Sequence, residues 1–167
     1  YCARVGPTLK QLEEKYGKDL RVTFKHNPLP FHNRAMPAAM ASECAREQGK
    51  FWEMHDVIFE NARALEDKDL EGHAQKIGVD MNRWKQCYTS NKYKERIEKD
   101  QSTANSLGAR GTPAFFINGR FLSGAQPVDN FSKIIDEELD KAKKSGVAKG
   151  AYYDQQVADK GEKKLWS

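Results

Sequence analysis

Three places in the sequence carry residues able to do covalent or binding chemistry. Cys2 stands at the start of a helical pattern, where unpaired backbone N–H groups and the helix dipole favour a thiolate. The alternative for such a cysteine is a small buried hydrophobe. Gly111-Thr112-Pro113 sits directly before an apolar run, a position where an X-Pro bond is either cis or an ordinary trans opening of an edge strand. Cys44 and Cys87 lie on separate helical segments, and their spacing alone leaves them paired or apart. His26 and His32 flank the Pro28-Leu29-Pro30 turn, where histidines commonly cap the loop. His55 and His73 fall on helices, packed or facing solvent. No second close Cys or His pair has ligand spacing, so no metal site is expected.

The elements that must position these residues follow from periodicity and punctuation. Leu9, Leu12 and Tyr16 mark a first helix over about residues 3–16, stopped at Gly17, with Pro7 inside it. Leu20, Val22 and Phe24 alternate with Arg21, Thr23 and Lys25, which predicts a strand with Lys25 near its end. Residues 33–107 read as helices throughout. An alanine-rich segment from Ala35 to Ala45 comes first, then an apolar one from Phe51 to Phe59. A third begins at Asp67, a fourth carries Met81, Trp84 and Cys87 behind an Asp80 N-cap, and a fifth runs from Tyr93 with Ile97 and Ala104 inward. Ala114–Ile117, Asn118-Gly119 and Arg120–Leu122 predict a hairpin with a type I′ turn. Pro127 opens a last helix with Phe131, Ile134, Ile135, Leu139 and Ala142 on one face. Residues 147–167, with Tyr152, Tyr153 and the cluster Lys160, Lys163 and Lys164, read as a tail or a loosely docked helix.

The segment Cys2–Pro7–Leu9–Leu12 resembles the first helix of thioredoxin-fold oxidoreductases, in which the matching cysteine is the second of a Cys-x-x-Cys pair. Residues 111–120, Gly-Thr-Pro-Ala-Phe-Phe-Ile-Asn-Gly-Arg, are similar to the cis-proline segment of that superfamily. Phe24-Lys25-His26, Pro28 to His32 and residues 43–59 resemble the DsbA-type thiol–disulfide oxidoreductases, over about residues 1–145. The resemblance implies an α/β thioredoxin fold with an inserted all-helical domain. Residues 1–32 then form the first part of the thioredoxin-fold domain, 33–107 the insertion, 108–146 the second part and 147–167 a tail.

It further implies that Cys2 is catalytic and that Thr112 and Pro113 bind an extended peptide. Lys25, His26 and His32 would tune the site, Lys25 as half of a buried charge pair, and Cys44 would join Cys87 in a structural disulfide. The first strand and the nucleophilic cysteine, two residues before Tyr1, are expected to lie outside the sequence, which alone would be inactive. Partners are cysteine-containing proteins and a redox partner protein, with no cofactor, in the bacterial periplasm or another extracytoplasmic space. Kappa-type glutathione transferases, with a serine near the first helix, and non-catalytic peptide-binding modules share the architecture.

Composition narrows the classes further. Lys and Arg number 28 against 24 Asp and Glu, a net charge of +4 spread without long runs, which is a solvated surface rather than a nucleic-acid groove. No stretch approaches the about 18 apolar residues of a membrane span. Three cysteines are too few for a disulfide scaffold and leave one over.

Overall fold

The computed structural model describes residues 1–160, so Lys163 and Lys164 lie outside the described residues. The chain forms two compact units: one from Tyr1–Thr23 with the chain from Ser106 on, the other Phe24–Asn105.

In the first unit, α1 covers Cys2–Tyr16 and ends at Gly17, whose φ of 50° suits a residue without Cβ. The hairpin pairs β1 (Ala114–Ile117) with β2 (Arg120–Ser123), Ile117 opposite Arg120. Asn118 and Gly119 turn it at φ 48° and 86°, as a type I′ turn requires. Pro127 caps the last long helix of this unit, Val128–Lys144, and Lys141, Lys143 and Lys144 lie at the negative end of its dipole. Val5 and Leu12 of α1 pack with Phe131 and Ile135 of that helix and with the inward hairpin residues Phe115, Ile117 and Leu122. The Phe115 and Phe131 rings meet edge to face at 4.9 Å. Tyr16 Oη donates to Asp136 Oδ1 at 2.7 Å, fastening the end of α1 to the same helix. Beyond it come a short helix, Lys149–Tyr152, and a π-helical turn, Tyr153–Ala158. Lys149 pairs with Asp19, and Arg21 stacks over the Tyr153 ring at 5.4 Å.

The expected strand at Leu20–Lys25 is a correction. Leu20 is extended (φ −115°, ψ 134°), and Leu20, Val22 and Phe24 turn inward while Arg21, Thr23 and Lys25 stay exposed. Yet the segment joins no ladder, and the described residues hold one sheet of two strands. Alternation decides which side chains are buried. A strand also needs a neighbouring backbone to take its N–H and C=O groups.

The second unit is five helices: α2 Ala35–Arg46, α3 Phe51–Glu60, α4 Asp67–Lys76, α5 Met81–Thr89 and α6 Lys94–Ser106. Small residues along α2 (Ala41 and Ala45 are fully buried) let α3, α4 and α5 pack close against it. Met54, Leu70, Ala74 and Trp84 fill the space between them. Trp84 Nε1 donates to the Ala41 carbonyl at 3.1 Å, so the core indole leaves no orphan donor. Glu66 and Asp69 form a capping box on α4, and the Asp80 carboxylate accepts from Arg83 N at 3.0 Å on α5.

Candidate functional site

Within the first unit, Cys2 is the first residue of α1 and a free, half-buried thiol. Tyr1 before it is exposed, and the Arg4 guanidinium lies 5.1 Å from the centre of the Tyr1 ring. The Thr112–Pro113 peptide bond is cis. The Pro113 carbonyl accepts from Gly124 N at 2.9 Å, which ties the start of β1 to the end of β2. Among the described residues, no backbone hydrogen bond engages Thr112, directly before that tie.

Within the second unit, Cys44 of α2 is bonded to Cys87 of α5, with Cα atoms 5.8 Å apart. The pairing crosses 43 residues of sequence and leaves Cys2 as the free cysteine.

The three residues expected to tune the site fall in different surroundings. Lys25 is not in a buried pair: its side chain is 61% exposed, and its ammonium faces Asp100 of α6 at 3.2 Å. A four-carbon stem at a segment end carries its charge to water, and α6 supplies the carboxylate. His32 is exposed, with its ring 4.7 Å from that of Phe31. His26 is buried, and its Nε2–H donates to Glu43 Oε1 at 2.8 Å.

Glu43 is the centre of a network that sequence reasoning missed. Its other oxygen accepts from Arg46 Nε at 2.9 Å and faces Arg96 Nη1 of α6 at 3.4 Å, while its side chain is 2% exposed. Burial pushes its carboxyl up, but the hydrogen bonds from His26 and Arg46 and the charge of Arg46 outweigh that and hold it at about 2. The His26 backbone N–H donates to Asp100, and Gln101 Nε2 donates to the Pro28 carbonyl. The Arg46 guanidinium also lies 3.9 Å from the centre of the Phe51 ring. Phe24, Phe51, Trp52 and His55 form an aromatic cluster beside His26, with Phe24 and His26 5.2 Å apart edge to face. The signal available in the sequence was the position of Glu43 inside an alanine-rich stretch too apolar for a solvent face.

Similarity to known proteins bears on the whole arrangement. A family model described as a DSBA-like thioredoxin domain matches residues 1–136. A Na(+)/H(+) antiporter NhaA of Herminiimonas arsenicoxydans is 36% identical over 136 residues, 81% of this chain and 22% of that protein. A Na(+)/H(+) antiporter NhaA 1 of Salinispora arenicola is 32% identical over 136 residues, 81% and 21%. One of the same name from Mycolicibacterium gilvum is 34% identical over 123 residues, 72% and 20%. The chain thus spans about a fifth of the length of the curated relatives it matches. Among the described residues no helix is long and apolar enough to cross a membrane. The helix, inserted helical unit, hairpin and closing helix agree with the family model, and the chain belongs to the DSBA-like thioredoxin domain family, with a helical insertion in a thioredoxin fold.

Proposed function

We propose that this protein exchanges disulfides with cysteines of other proteins through a Cys-x-x-Cys pair whose second member is Cys2. The observation that carries the reading is the state of the three cysteines. Cys44 and Cys87 are locked together, and the thiol left free stands at the first residue of α1. The first member of the pair lies two residues before Tyr1. Its thiolate attacks one sulfur of a substrate disulfide, so that a mixed disulfide forms and the other substrate sulfur leaves as a thiolate. The Cys2 thiolate then attacks the upstream sulfur, closes the Cys-x-x-Cys disulfide and expels the substrate thiolate; oxidation of a substrate runs the same steps backward. Thr112, with backbone groups not engaged elsewhere, pairs with an extended substrate segment beside Pro113. A redox partner protein resets the pair. A disulfide holding α2 to α5 fits a compartment outside the cytoplasm.

The test uses the full-length protein with Cys2→Ser. Without the resolving thiol, mixed disulfides with substrate proteins accumulate and appear as reductant-sensitive bands on a non-reducing gel. A sequence ahead of Tyr1 without that cysteine, or exchange unchanged by Cys2→Ser, overturns the proposal. A serine there would instead favour a glutathione transferase.

A further inference from the structure

The segments that carry Cys2 and Thr112–Pro113 share an uneven charge. Residues 1–12 and 101–128 contain no Asp or Glu, and the first turn of α1 is free of acidic side chains. They do contain Arg4, Lys10, Arg110 and Arg120. Arg120 is neutralised by Glu137 at 2.6 Å and Glu138 at 3.2 Å. Arg4 and Arg110 are exposed, and neither has a carboxylate partner among the described residues. Arg4 follows Cys2 by two positions, and Arg110 precedes Thr112 by two. The Arg4 guanidinium lies over the Tyr1 ring, 5.1 Å from its centre, on an exposed residue.

We infer that the substrates of this site are acidic peptides, with Asp or Glu flanking the exchanging cysteine and pairing with Arg4 and Arg110. This rests on the proposed roles of Cys2 and Thr112–Pro113, and it adds a substrate class to them. A guanidinium presents a fork that matches a carboxylate, so acidic flanks gain both steering and register, whereas lysine flanks meet like charge.

The probe is a set of cysteine peptides activated as 2-thiopyridyl disulfides and flanked by glutamate, serine or lysine. A site thiolate of the reduced full-length protein attacks the peptide cysteine sulfur. The protein–peptide disulfide forms, and 2-pyridinethiolate leaves and is read by its absorbance. Glutamate-flanked peptides are expected to react about threefold faster than serine-flanked ones for each arginine engaged at low salt. Lysine-flanked peptides should be slower, and the spread should shrink as added salt shortens the screening length. Arg4→Glu and Arg110→Glu reverse the order. Arg63→Glu, the same charge change at an exposed site of the helical unit, leaves it intact. Equal rates for the three peptides overturn the inference, as does an Arg63→Glu effect as large as the other two, which would mean net charge alone. Trapping by the Cys2→Ser protein reads the parent proposal separately: substrates trapped without acidic flanks sink this inference alone, and no trapping sinks both.

Discussion

Replacing Glu43 by Gln tests whether the buried charge network holds the helical unit together. The amide keeps the shape and can still accept from His26, but it removes the negative charge that Arg46 and Arg96 face. The Glu43 carboxyl sits at about 2 against an ordinary 4.5, so ionisation favours the folded state by on the order of 3 kcal/mol at neutral pH. Because the folded value is depressed, that contribution is fully present above pH 4.5 and is lost as pH falls towards 2. Glu43→Gln should therefore lose about 2–3 kcal/mol at pH 7, part of the loss being an Arg46 guanidinium left beside an amide. Urea titrations followed by tryptophan fluorescence, at several pH values, give both numbers. Wild-type stability should fall below pH 4.5 with a slope approaching about 1.4 kcal/mol per pH unit from this group. The variant should lack that component, so the two curves converge in acid. A loss under about 0.5 kcal/mol at pH 7, or parallel curves from pH 7 to 2, refutes the assignment.

Two other perturbations follow from packing and turn geometry. Cys44→Ser with Cys87→Ser releases a loop of 43 residues, and loop-closure entropy puts the loss at about 4 kcal/mol, read by thermal unfolding with and without reductant. Thiol titration of a chain limited to residues 1–167 should find Cys2 alone, and titration after reduction and unfolding its three cysteines. Gly119→Val places a β-branched residue at φ 86° in the hairpin turn and should cost about 1–3 kcal/mol, with melting temperature as the readout.

The parts of the fold legible from sequence were those set by local rules. Asp80 announced the start of α5, Gly17 the end of α1, and Asn118-Gly119 the hairpin, because capping and positive φ are chemistry of one or two residues. The segment Leu20–Lys25 shows where such rules stop: its inward and outward faces came out as the alternation demands, but pairing depends on another backbone. The same holds for the charges. Lys25 was visible, whereas its partner lies 75 residues away on α6. Glu43 looked like any helical glutamate because His26 and Arg96, which make its burial tolerable, arrive from a loop and from α6. The meeting of Cys44 with Cys87 likewise depends on the α2–α5 contact, which neither cysteine encodes alone.

The bonds from Asp100 to Lys25 and His26, and from Gln101 to Pro28, tie the last turns of the helical unit to its first residues. The two crossings of the chain into and out of that unit are therefore held side by side by the unit itself. A body whose ends already meet asks little of its host: it can grow, shrink or trade helices while the spacing at its root is unchanged. Evolution can thus vary the helical unit as a module, with Asp100 and Gln101 serving as its drawstring.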